Sequence, residues 1–221
     1  MEEKQNNALL ALIARGKGSI IVKVFATAIL LYIISCVIQP NYFSGKYISN
    51  TLVSASFLGF LAVGQTLVIL TGGIDLSVVV TMNLTAVITS KLNGMNLLLL
   101  ILLLVVIGAA IGAANAFGVA FLEVPPIVMT LAMQRIVVSA MYLYTNGIAE
   151  GAAPAWLKFI GTGSFGVIRV ILIVWIVASV VITFLLNRTN FGRRLYALGN
   201  SRSVSFYSGV NNTAVNFATY M

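Results

Sequence analysis

The feature that most constrains this chain is where it keeps its charge. Between residues 20 and 187 it is a series of apolar runs separated by short polar breaks, with most of its ionisable side chains at their edges. A helix needs about 20 apolar residues to cross roughly 30 Å of hydrocarbon. Six runs meet or approach that length: 20–38, 51–71, 77–90, 97–122, 127–144 and 167–187. We therefore expect an all-α, polytopic membrane protein of about six transmembrane helices, interrupted near 72–76 and 123–126.

Composition excludes the soluble alternative. Only 8% of the 221 residues are charged and 60% are hydrophobic, too few charges to clothe a soluble domain, which carries about a quarter. The net charge of +8 would suggest nucleic acid in a soluble chain, but here the basic residues encode orientation. Lys4, Arg15, Lys17 and Lys23 precede the first run, and Arg188, Arg193, Arg194 and Arg202 follow the last. Both ends should face the cytoplasm, which requires an even number of crossings. Residues 1–19 read as a cytoplasmic segment and 20–187 as the helical bundle. Residues 1–19 and 24–38 could pass for a signal peptide, but no A-x-A site follows, so we expect an uncleaved first helix. The lipoprotein-like box ending at Cys36 is redundant on a chain that crosses the membrane again.

There is no histidine and one cysteine, so the usual general base, the commonest metal ligand and an intrachain disulfide are absent. We expect no enzyme, no cofactor and no metal. Gly161, Gly163 and Gly166 match the spacing of a dinucleotide fingerprint but lack the strand and the acid it needs, and read as a Gly-rich loop. No phosphate-binding G-x-x-x-x-G-K-[ST] occurs, so any ATP must be bound by another chain. The N-x-[ST] triplets at Asn83, Asn187 and Asn211 lie in spans or on the cytoplasmic side.

The run 77–90 rises only about 21 Å as a helix, so it must borrow residues from the Gly72–Gly73 turn or belong to a broken helix. In the fourth run Gly108, Gly112 and Ala116 recur every four residues, a stripe that suits close packing of another helix. Asp75 lies in TGGIDLS as the only acid between Glu3 and Glu123. It reads either as a helix cap after two glycines or as part of a solute or proton path. The break at Glu123, Val124, Pro125 and Pro126 is either a plain turn or a discontinuous helix around a transport site. Arg135 either snorkels or pairs within the bundle. Gln65, Asn83 and Asn115 could line a path or bond between helices. In 191–211, Ser201 can cap a short helix and Gly209 can end it, placing Val204 and Tyr207 on one apolar face without a core of its own. Such a helix suits a groove on a partner or the lipid surface.

Three segments carry a resemblance: GQTLVILTGGIDLSV from Gly64, VPPIVMTLAMQ from Val124, and GRRLYALGN through SGV ending at Val210. They resemble, in order and spacing, the permease subunits of bacterial ATP-binding-cassette importers of ribose, xylose, galactose and autoinducer. The resemblance implies a permease of the bacterial cytoplasmic membrane that translocates a monosaccharide or similar small polar solute by alternating access. Its implied partners are a separate ATPase subunit, an extracytoplasmic sugar-binding protein, a second permease copy or paralogue and membrane lipid, with no nucleic acid. It makes Gly72, Gly73, Asp75 and Ser77 a signature turn. It makes 188–210 a cytoplasmic coupling loop, with Asn200, Ser201, Val204, Tyr207, Ser208 and Gly209 facing the ATPase. Val79, Val204 and Ser205 stand where the family has smaller residues. Members continue through further spans, so 211–221 reads as the start of a truncated one. Two other readings stay open: an ion- or proton-coupled transporter using Asp75, and an inactive truncated permease.

Overall fold

The computed structural model describes residues 20–148, 150–166 and 168–221; the expected cytoplasmic segment 1–19 lies outside them. They divide into two compact units.

The first unit ends at Thr51. It contains α1 (Ile20–Ile38), a 3-10 turn (Pro40–Phe43) and the first turns of α2 (Gly45–Leu70). Pro40 stands where the missing N–H of proline loses nothing, at the start of the short turn. The hydroxyl of Tyr32 donates to the Tyr42 carbonyl at 2.9 Å, and the Tyr42 and Tyr47 rings meet edge-on at 5.1 Å.

The second unit holds the rest of α2, then α3 (Val78–Lys91), α4 (Leu97–Ala120) and α5 (Pro126–Thr145). The chain continues with α6 (Ala155–Thr162), a hairpin of β1 (Ser164–Phe165) and β2 (Ile168–Arg169), and α7 (Val170–Arg188). It closes with α8 (Asn190–Asn200), α9 (Arg202–Tyr207) and α10 (Asn212–Tyr220). Helices α2, α4, α5 and α7 are long and apolar enough to cross a membrane; Val22–Ile38 and α3 are shorter apolar helices. The all-α, polytopic class is as expected. The second helix begins at Gly45 rather than 51, and α3 takes no residues from the Gly-Gly turn.

Helix α4 shows how sequence is divided between lipid and protein. The Asn96 side chain caps it, accepting from the Leu98 N–H at 2.9 Å. Most of its Leu- and Ile-rich first half faces outward, while Gly112, Asn115, Ala116, Gly118 and Val119 are buried. Helix α10 packs along this half. A side chain at Gly112 would overlap the Tyr220 carbonyl, whereas Gly108 has open space around it. The small-residue stripe is thus a packing seam at Gly112 and Ala116 and not at Gly108. Ala116, Val119, Val68 and Tyr220 form one core cluster.

A second cluster holds α8, the helix before α9, against the end of α2. Helix α8 buries Leu195 and Leu198 with Leu186 and Val215, against Leu67, Leu70 and Phe191. Its apolar residues recur at helical spacing, and the Thr189 hydroxyl caps it by accepting from Gly192 at 3.3 Å. Residues 155–169 also differ from the expected Gly-rich loop. Pro154 opens an amphipathic α6, and Gly166, at φ +62°, turns the β1–β2 hairpin.

Candidate functional site

The interruption after α2 is built from its backbone outward. Gly72 takes φ +82°, and the Gly73 N–H reaches back to the Val68 carbonyl at 3.1 Å, closing the helix with a left-handed turn. Beyond it Ile74, Asp75 and Leu76 leave regular structure. Within a bilayer such backbone is tolerated only when protein satisfies its polar groups.

Two neighbouring helices do so. From α2, the Gln65 amide, oriented by these contacts, donates to the Asp75 carbonyl at 3.0 Å and accepts from the Asp75 N–H at 3.2 Å. From α5, the fully buried Thr130 hydroxyl accepts from the Leu76 N–H at 3.1 Å and lies 3.1 Å from the Ile74 carbonyl and 2.9 Å from that of Pro126. The break at 123–126 is where α5 starts, so it sets the height of Thr130. Glu123 there adopts φ +54°.

Asp75 is not a cap inside the next helix, which corrects the cap expectation in detail. The N-cap position belongs to Ser77. Asp75 Oδ1 accepts from the Ser77 N–H at 2.7 Å and from the Ser77 hydroxyl at 2.6 Å. A carboxylate two residues ahead bends the chain onto its own side chain and so fixes the approach to α3. Asn115 on α4 completes a relay by donating from Nδ2 to Ser77 Oγ at 2.8 Å. Asn115 Oδ1 and the Tyr220 hydroxyl are buried without hydrogen-bond partners among the described residues. Each such group costs about 1–3 kcal/mol when left unsatisfied.

These side chains border a cavity of about 430 Å³ lined by α2, α3, α4 and the end of α10, including Gln65, Asp75, Ser77, Asn115 and Tyr220. Asn83 is exposed on α3 and does not line it. Arg135 is exposed on α5. The sequence reading missed Thr130 and Tyr220; a lone hydroxyl four residues after Pro126 was the only trace of the first. Among the described residues no group of three or more acidic or cysteine side chains converges as a metal site.

The segment 188–210 adjoins this site. Gly199, at the end of α8, lies so close to the Leu70 carbonyl that a side chain there would overlap it. Ser201 caps α9, accepting from the Val204 N–H at 3.3 Å, and Gly209 follows it at φ +79°. Val204, Phe206 and Tyr207 are exposed at 64%, 67% and 87%. Asn200 and Ser208 are exposed beside them. Phe206 escaped the sequence reading, which considered one helical face. Ser205 points inward, 1% exposed.

Residues 47–221 match the family described as the branched-chain amino acid transport system / permease component. The chain belongs to this permease family. It is 33% identical over 204 residues to the ribose import permease protein of Escherichia coli, covering 88% of this chain and 62% of that one. It is 32% identical over 200 residues to the ribose import permease protein of Bacillus subtilis, covering 89% and 62%. With the autoinducer 2 import system permease protein of Photorhabdus luminescens the figures are 32% over 195 residues, 83% and 56%. The permease thus spans less than two thirds of the length of these relatives. No solved structure matches it. Family and apolar helices together make it a multi-pass protein of the bacterial cytoplasmic membrane.

Proposed function

We propose that this permease forms the membrane path of an ATP-driven importer for a monosaccharide or similar small polar solute. It performs no hydrolysis itself. A separate ATPase subunit docks on α9 and drives alternating access, an extracytoplasmic binding protein delivers the solute, and a second permease copy or paralogue completes the pore.

The observation that carries this reading is the continuity between the exposed α9 and the cavity. Helix α9 leads directly into α10, and α10 ends with Tyr220 in the cavity wall. Movement imposed at α9 is therefore delivered to the polar break. The relatives named above, import permeases for ribose and autoinducer 2, favour a small polar solute. The engagement of Asp75 Oδ1 with Ser77 favours a structural carboxylate over an ion-coupling one.

Vesicles carrying the permease with an importer ATPase and binding protein test this. ATP inside the ATPase-accessible compartment should drive uptake of a radiolabelled monosaccharide, and a sodium or proton gradient alone should not. Uptake driven by the gradient without ATP would overturn it.

A further inference from the structure

We infer that the cavity at the interrupted segment is a contact site for an uncharged, polyhydroxylated solute, recognised by a wall of hydrogen-bond acceptors formed by Asp75, Asn115, Thr81 and Thr85. This rests on the importer reading and adds where and how the solute is held. The argument is a count of hydrogens already committed within the fold.

Most donors of the wall are taken. The Ser77 hydroxyl gives its hydrogen to Asp75 Oδ1. Asn115 Nδ2 donates one of its two hydrogens to Ser77. The Gln65 amide gives one of its two hydrogens to the Asp75 carbonyl, and its oxygen accepts from the Asp75 N–H. The Thr81 hydroxyl donates to the Ser77 carbonyl at 2.9 Å and that of Thr85 to the Met82 carbonyl at 2.8 Å. What remains is mostly lone pairs, those of the second carboxylate oxygen of Asp75, of Asn115 Oδ1 and of the Thr81 and Thr85 oxygens, beside one amide hydrogen each of Asn115 and Gln65. Asn115 Oδ1 is the second, independent sign, a buried acceptor with no partner among the described residues. The Tyr220 hydroxyl, equally without one, joins those two amide hydrogens as an uncommitted donor.

Such a wall selects by charge and by hydrogen count. Among the described residues lining the cavity, Asp75 is the one acidic side chain, and no Lys or Arg lies beside it there. An anion is repelled. The carboxylate of an amino acid would find only neutral donors, Tyr220 and the two amide groups, and would meet the Asp75 side chain with no Lys or Arg beside it. A neutral polyol presents many O–H donors and a few acceptors, which is the complement of this surface. The cavity, at about 430 Å³, lies in the size class of small-ligand sites.

The test places a single cysteine at Met82, which lines the cavity, or at Asn83, which does not, in a Cys36→Ala background. Thiol labelling of the permease in membrane vesicles is timed with ribose, galactose or fructose, with leucine, and with sodium chloride. At least one sugar should slow labelling at Met82→Cys and leave Asn83→Cys unchanged, with leucine and sodium without effect. Asp75→Asn should raise the half-protecting sugar concentration about tenfold or more, since a bond to a charged acceptor is lost. Thr81→Val, which keeps its shape, should raise it about two- to tenfold. Protection by none of the sugars, protection equal at both positions, or protection by leucine or sodium instead would overturn the inference. Because the assay needs no ATPase, its failure is separable from failure of the importer reading, which ATP-driven uptake reports.

Discussion

The side-chain oxygens of Ser205 and Asn212 lie 2.7 Å apart, the hydroxyl donating to the amide, so the short α9 is fastened to the first turn of α10. Asn212 Nδ2 also donates to the Arg202 carbonyl at 2.8 Å. One asparagine therefore ties the first and fourth residues of α9 to the helix that reaches the cavity. We expect Asn212→Ala to cost about 1–3 kcal/mol locally and to speed amide exchange in 202–220. Exchange confined to α9, with α10 unchanged, would contradict the fastening.

The polar break should depend on the helices that satisfy it. Gln65→Leu leaves the N–H and carbonyl of Asp75 without their partner, and Thr130→Val does the same for Leu76. Each orphaned group costs about 1–3 kcal/mol. Thermal unfolding in detergent should place both variants below wild type, while Asn83→Leu, on the exposed face of α3, should stay within about 0.5 kcal/mol.

The packing seam makes a paired prediction. At Gly112 a methyl group would overlap the Tyr220 carbonyl and at Gly108 it meets open space. Overpacking of this kind costs about 1–3 kcal/mol. Gly112→Ala should lower the melting temperature and loosen α10 in exchange measurements, and Gly108→Ala should do neither. Equal effects would mean that α10 does not lie against α4.

The core beneath α8 predicts that Leu198→Ala destabilises by about 2–5 kcal/mol, because Leu198 is 1% exposed. Tyr196→Ala, on the exposed side of the same helix, should change stability far less. Proteolysis of the segment 188–210 in inverted vesicles reads the difference.

Much of the bundle was legible because a bilayer demands uncharged runs, and their ends need glycine, proline or asparagine. Gly112 and Ala116 were readable from spacing alone, and the caps at Ser201 and Gly209 from residue type. Thr130 was not, because a threonine in an apolar helix usually bonds its own preceding turn, and its reach to Ile74 and Leu76 depends on tertiary placement. The same holds for α8, whose buried face exists only because Leu67 and Leu70 from α2 cover it. Asn83 was grouped with Gln65 and Asn115 by polarity; helical phase separates it from the cavity.

The most direct measurement is co-purification of the permease with an importer ATPase, comparing wild type with Val204→Glu and Tyr207→Glu. The account predicts that wild type retains the ATPase and that both charged variants lose most of it while keeping their melting temperatures, since both side chains are exposed. Retention by the variants at wild-type level, or no retention by wild type, would contradict it.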